Sequence, residues 1–140
     1  MARTGLKKWI PTTLPGSWTT EPIAAVRHLV PPLPAPEPNA PGQFGWADPA
    51  YVGSILEQAG FEDVSLSKRD RLMQLCGPGG AEMAAERAMT FGPAARATAG
   101  MPEDQRRAVR DGLRDYFTQN DHGEGVALPA AVWVVEARAG

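Results

Sequence analysis

Cysteine, histidine and long apolar runs are scarce in this 140-residue chain. Its one cysteine, Cys76, cannot form an internal disulfide, and no second thiol or close histidine pair gives it the spacing of a zinc site. No segment approaches the roughly 20 apolar residues that a membrane span needs. The residues after Lys7 and Lys8 lack the apolar core of a signal peptide. These absences predict a cytoplasmic protein without a membrane partner.

An excess of charge of one sign is also missing. The 14 basic and 16 acidic residues give a formal net charge of -2, and no lysine or arginine block is long enough to follow a phosphate backbone. Nucleic acid is therefore not expected as a partner. The 43% hydrophobic and 21% charged content is typical of a folded chain, and the length is that of one ordinary domain.

Proline is plentiful, with 14 residues, and it divides the first half of the chain. Residues 1–17 show no clear period, and Pro11 and Pro15 interrupt any helix there, so an irregular segment is predicted. A short amphipathic helix capped by Thr20 follows. Residues 31–46 hold six of the 14 prolines and are predicted to form an extended lid or linker.

Helices and strands alternate in the second half. Asp48 and Pro49 predict the start of a helix that ends at Gly60. Alternating apolar residues then predict a strand over 61–69, and residues 77–80, Gly-Pro-Gly-Gly, predict a turn. Two further helices are expected over 81–91 and from Glu103 onward. A nearly continuous apolar run over 130–137 predicts a strand covered on both faces.

Four stretches carry a resemblance to the C-terminal region of class I S-adenosylmethionine-dependent methyltransferases. They are Phe44-Gly45-Trp46-Ala47-Asp48-Pro49, Ile55-Leu56-Glu57-Gln58-Ala59-Gly60-Phe61-Glu62-Asp63-Val64, Gly92-Pro93-Ala94-Ala95-Arg96 and Leu128-Pro129-Ala130-Ala131-Val132-Trp133. The similarity spans residues 18–140 approximately. It implies an α/β fold: the C-terminal part of a seven-stranded Rossmann-like sheet, with two clear strands, three or four helices and the proline-rich lid.

In that family the two predicted strands are the sixth and seventh, and the seventh runs antiparallel to the others. Its free edge meets the fifth strand, for which this chain offers only its first ten or so residues. The sequence therefore predicts that one edge of the last strand is unpaired. A second copy is then expected to pair with that edge in a homodimer, or else the chain folds poorly alone.

The chain departs from the family where the cofactor binds. The family holds S-adenosylmethionine with an acidic residue and a glycine-rich turn after its first strand, and with an acidic residue after its second. None of these is present, so this chain alone is not expected to bind S-adenosylmethionine. The glycines at 77–80 are better explained as a plain turn than as a cofactor loop, since Pro78 lacks an amide donor and no matching acidic residue follows.

Three aromatic residues are the candidate substrate-pocket residues: the resemblance suggests Trp18, Phe44 and Trp46 as walls around a small organic substrate. The alternative is that these rings only pin the proline-rich segment to the core. Methyl transfer depends chiefly on positioning and on exclusion of water, so no catalytic side chain is required.

Other reactive side chains form no motif. His28 and His122 have no arrangement typical of a general base, and Cys76 has no neighbouring base to activate it. The arginines of the helix after Glu103 are interspersed with aspartates and are expected to form a solvated face.

Two functions are therefore open. The first is the substrate-side portion of a methyltransferase, which needs a complementing polypeptide with the cofactor-binding half. The second is a non-catalytic interaction or dimerisation module derived from such an enzyme.

Overall fold

The computed structural model describes residues 5–12, 17–35, 37–42 and 44–140. The strands are β1 Gly5–Thr12, β2 Phe61–Cys76 and β3 Val126–Ala139. The helices are α1 Glu21–Ala25, α2 Pro49–Gln58, α3 Ala81–Thr90, α4 Pro93–Ala97 and α5 Glu103–Asn120, and a 3-10 turn, Arg27–Leu29, follows α1. The fold is α/β, as predicted, but the described residues contain five α-helices instead of three or four.

The three strands form one sheet in the order β1-β3-β2. β1 pairs antiparallel with β3, from Gly5 opposite Arg138 to Thr12 opposite Ala131. On the other side of β3, the N–H of Gly140 donates to the carbonyl of Gly60 at 3.2 Å, so the end of β3 lies beside the start of β2. β3 is therefore central and antiparallel to both neighbours.

This order corrects two sequence-based predictions. Residues 1–17 were expected to be irregular, which is wrong for residues 5–12, and the expected unpaired edge of the last strand is paired with β1. The periodicity of β1 did not reveal it, because its strand conformation depends on the ladder that β3 offers. Proline at position 11 is compatible with the result, since β1 is an outer strand and an outer strand tolerates a missing N–H.

Both later strands are longer than their apolar patterns. β2 continues to Cys76 although residues 68–71, Lys-Arg-Asp-Arg, interrupt the alternation, and β3 begins at Val126 instead of residue 130. The main-chain ladder extends a strand beyond the residues whose side chains are buried. The loop between α5 and β3 is short, because α5 continues to Asn120 and β3 begins at Val126.

One compact unit consists of Met1–Leu14, Ala35–Arg71 and Ala130–Gly140. Its core is formed by Val52 and Leu56 of α2 together with Val135 of β3. The start of α2 agrees with the prediction, since the carboxylate of Asp48 accepts the N–H of Ala50 at 2.9 Å. Gly60 ends the helix region with a φ of +86°, which favours glycine.

The second compact unit consists of Pro15–Pro34 and Leu72–Pro129. Helix α5 buries Val109, Leu113 and Phe117, and this stripe joins alanines of α3 and Val26 in a core cluster. The alanines permit close packing of the two helices. Two core clusters are thus present where the chain length suggested one.

The proline-rich segment contains no helix or strand among its described residues, 31–35, 37–42 and 44–46. Its prolines remove amide donors and restrict the backbone to extended conformations. Turns interrupt the extended path, since the N–H of Ala40 donates to the carbonyl of Glu37 and the N–H of Gly45 to the carbonyl of Gly42, both at 3.2 Å. The predicted absence of regular structure is confirmed for these residues.

Candidate functional site

Trp18 lies in a segment whose backbone is firmly held. Its N–H donates to the carbonyl of Pro129 at 3.0 Å, and its ring is half-buried. The residues on either side, Ser17 and Thr19, are buried, and their hydroxyl oxygens are 2.9 Å apart in a hydrogen bond. Buried hydroxyls need such partners. The indole of Trp18 is therefore carried by a fixed piece of chain at the entry to α1.

The start of α1 differs in detail from the predicted cap. The carbonyl of Ser17 accepts the N–H groups of Thr20 and Glu21, at 3.0 and 2.9 Å. The Thr20 hydroxyl does not cap the helix; its oxygen accepts the N–H of Ser17 at 3.0 Å. These bonds close a turn immediately before the helix. The turn fixes the backbone from which the Trp18 side chain projects.

Tyr116 of α5 is a polar group near this turn that the sequence pattern concealed. Its ring packs against the core cluster of the second unit and contacts Phe117 edge-on, with centroids 5.3 Å apart. Burial raises the pKa of the Tyr116 phenol, and the charge of Glu21 raises it further. The hydroxyl is therefore protonated at neutral pH and can donate a hydrogen bond. In the sequence, Tyr116 is spaced like the apolar residues of the helix, and this pattern predicts only a core position.

Phe44 and Trp46 lie in the other unit and are both half-buried. Trp46 packs against the Val52, Leu56 and Val135 cluster. Between the two rings, Gly45 is required, because a Cβ there would lie 2.6 Å from the carbonyl oxygen of Ala40. The Trp46 ring is thus held at the end of the proline-rich segment.

A tryptophan of β3 secures the same segment. The indole Nε1–H of Trp133 donates to the carbonyl of Ala47 at 2.8 Å. Together with the packing of Trp46, this bond indicates that the Trp46 ring helps to hold the end of the proline-rich segment against the core. Trp18 belongs to one unit and Phe44 and Trp46 to the other, so a pocket shared by all three stays a prediction.

The glycine cluster at 77–80 forms a turn, with the N–H of Gly80 donating to the carbonyl of Gly77 at 3.0 Å. The amide of Gly79 is directed at a protein carboxylate, since it donates to Asp121 at 2.8 Å. A phosphate or cofactor loop needs free amides, and here the amide of Gly79 is bonded to an acidic residue. The predicted turn is present.

Asp121 also accepts the N–H groups of Gly123 and Gly125, at 3.0 and 2.8 Å. These three bonds hold the pKa of the Asp121 carboxyl below its ordinary value, and the bond from Gly79 has the largest effect. The charge of His122 lowers the pKa further. The carboxylate joins the loop before β3 to the turn before α3. No sequence motif marks this arrangement, although an aspartate before two close glycines is typical of a loop that uses such bonds.

The remaining candidates show no catalytic arrangement. His28 is exposed on the 3-10 turn, and Cys76 is a buried free thiol. Within the described residues, no group of three histidine, cysteine, aspartate or glutamate side chains is placed to hold a metal ion. On the arginine-rich face of α5, Arg110 pairs with Glu86 of α3 at 3.3 Å and Arg114 with Asp111 at 3.1 Å. The first ion pair joins α5 to α3, and the second lies within α5.

Comparison with known proteins gives no family assignment. No protein-family model matches the chain, and no curated protein matches it. Among the described residues, no helix has both the length and the apolar character needed to cross a membrane.

Proposed function

We propose that these residues are the substrate-side portion of an S-adenosylmethionine-dependent methyltransferase that acts on a small organic molecule. The proposal includes a cytoplasmic location. The observation that carries the proposal is the order of strands in the sheet. β3 lies between β1 and β2, and it runs antiparallel to β1 over eight paired residues.

The resemblance implies this order. In the methyltransferase sheet the seventh strand runs against the others, with the sixth on one side and the fifth on the other. β3 takes the place of the seventh strand, β2 that of the sixth and β1 that of the fifth. The position of β1 beside β3 supports the proposal, because the first ten or so residues are the only part of this chain that the resemblance offers for the fifth strand.

The expected contribution of these residues is to hold the substrate. Methyl transfer requires the accepting atom to lie in line behind the methyl carbon, in a site without water. Trp18, Phe44 and Trp46 are the proposed apolar walls. The phenol of Tyr116 is a proposed donor for a polar substrate group.

The residues present do not fit the cofactor. The Gly77 to Gly80 turn has one amide bonded to Asp121, so that amide is not free to bind a ligand. The glycine-rich turn and acidic residues of the family have no counterpart here. The cofactor half is therefore proposed to come from other residues, encoded directly upstream or in a complementing polypeptide.

Calorimetry with S-adenosylmethionine tests whether the cofactor binds only when other residues supply its site. The purified chain alone is expected to show no binding, whereas a micromolar dissociation constant, about 8 kcal/mol of binding free energy, contradicts it. The neighbouring coding sequence is the second test. It is expected to contain an acidic residue and a glycine-rich turn after a strand, and co-expression of that segment is expected to restore cofactor binding. Replacing Leu6 by proline, which removes an N–H from β1, is the control expected to weaken the restored complex.

A non-catalytic interaction module is the second candidate function. Its support is the outer strand β2, where residues 68–74 are exposed on both faces. If the neighbouring coding sequence lacks a cofactor half, this reading replaces the first.

A further inference from the structure

The outer edge of β2 carries a row of main-chain groups to which no described residue forms a ladder, because the sheet order ends at this strand. Residues 68–74 are exposed on both faces of the strand. β2 also contains no proline or glycine, in contrast to β1 with Pro11. Such an edge is a template for another strand.

The exposed stretch contains two apolar side chains near its end, followed by Gln74. Leu72 is 73% exposed and Met73 is 37% exposed, and they lie on opposite faces of the strand because neighbouring side chains alternate. Isolated exposed leucines are common, but here Leu72 stands at the middle of residues 70–74. Pairing of this edge removes both side chains partly from water.

We propose that two copies of this chain associate by antiparallel pairing of their β2 edges, with Leu72 on the two-fold axis. All the residues concerned belong to one continuous strand. The proposal stands apart from the methyltransferase function, since the edge of β2 is opposite to the edge of the sheet at which β1 lies.

Symmetry and charge select the register. A two-fold axis between antiparallel strands places one residue directly opposite its own copy, because facing residues lie on the same side of the sheet. Residues 68–71 are Lys, Arg, Asp and Arg. A register centred on any of them opposes like charges directly, which is destabilising.

The register centred on Leu72 places no like charges directly opposite each other. Leu72 faces Leu72 of the second copy, Arg71 faces Met73, and Asp70 faces Gln74. This ladder uses only residues exposed on both faces. A register centred on Met73 pairs exposed residues only over 72–74, because Arg71 then faces Leu75, which is partly buried.

The same charges limit further association. Lysine and arginine on an outer strand are a common protection against edge-to-edge aggregation. In this strand they exclude the registers on one side of Leu72 and leave one closed, symmetric pair. A dimer is therefore expected instead of an open fibre.

Cysteine cross-linking of the full chain tests the register. In a Cys76→Ala background, Leu72→Cys is expected to form a disulfide-linked dimer on mild oxidation, because facing Cα atoms of an antiparallel pair are about 4.5 to 5.5 Å apart, within disulfide range. Asp70→Cys and Gln74→Cys are the matched controls. Each alone is expected to stay monomeric on a non-reducing gel, since the two copies of either residue lie four positions apart, about 14 Å, and an equimolar mixture of the two is expected to cross-link.

Sedimentation of the chain with Cys76 intact gives a second measurement. The unchanged chain is expected to dimerise, and Leu72→Lys, which opposes two ammonium groups, is expected to raise the dissociation constant at least about tenfold with an unchanged circular dichroism spectrum. A monomer at all concentrations overturns the proposal, as does cross-linking of Asp70→Cys alone or equal dissociation constants for the two proteins.

Discussion

Replacing Gly112 by alanine sets two well-known effects against each other. Gly112 lies inside α5, where alanine is the better helix former by about 1 kcal/mol. An added Cβ, however, would lie 2.9 Å from Cγ1 of Val26 and 3.4 Å from Cδ1 of Leu29. The sign of the change in the free energy of unfolding depends on whether these neighbours can move.

The structure favours the steric term. Val26 is 1% exposed and belongs to the core cluster, and a branched side chain has few alternative rotamers. Added atoms in a packed core cost about 1 to 3 kcal/mol. Subtracting the gain of about 1 kcal/mol from a cost near the middle of that range, about 2 kcal/mol, leaves a net destabilisation of about 1 kcal/mol.

Urea unfolding followed by circular dichroism measures this difference. Ala108→Gly in the same helix is the calibration, because Ala108 is exposed and its loss is expected to report helix propensity alone, about 1 kcal/mol. Gly53→Ala in α2 is the matched control, since a Cβ at that position meets nothing within 4 Å, and it is expected to stabilise. A higher urea midpoint for Gly112→Ala would show that Val26 and Leu29 move to accommodate the added methyl group, and the steric reasoning would be wrong.

Three further outcomes are expected. Asp121→Asn removes the negative acceptor of three amides, so it is expected to lower stability at neutral pH. The folded-state pKa of Asp121 is lowered, so its stabilising contribution is present above the unfolded pKa and is lost as the pH falls through the folded pKa. Acid unfolding of the unchanged chain is therefore expected to be steeper than that of the variant. Leu113→Ala empties a fully buried site and is expected to cost about 2 to 5 kcal/mol in urea unfolding, with a loss below about 1 kcal/mol contradicting the core assignment. Limited proteolysis analysed by mass spectrometry is expected to cut first within residues 31–46, and first cleavage within 102–117 would count against the lid.

Local signals in the sequence predicted the helix boundaries well. Asp48, Pro49 and Gly60 act through bonds and backbone conformations that involve only their near neighbours, so their effect is the same in any fold. The turn at 77–80 is of the same kind. The five-residue helix α4 after Gly92 was missed, because its length is too short to show a period, although Pro93 marks its first turn.

Features that depend on distant residues were harder to predict. β1 exists because β3 lies beside it, and the extension of β2 through a charged run has the same cause. The bond from Gly79 to Asp121 joins residues far apart in the chain, and Tyr116 gives the pattern of a core residue. The three aromatic pocket candidates were found by resemblance, and their common pocket stays a prediction.

The central position of β3 also determines when the sheet can form. β1 and β2 are not neighbours, so neither finds its partner until β3 has been synthesised, and Thr12 must wait for Ala131. At about 5 to 20 residues per second, the roughly 120 intervening residues take about 6 to 24 s to be made. During that interval the helices can form from local contacts, whereas β1 remains an unpaired strand on the ribosome. The order of strands thus makes β1 the segment that a chaperone is expected to bind during synthesis.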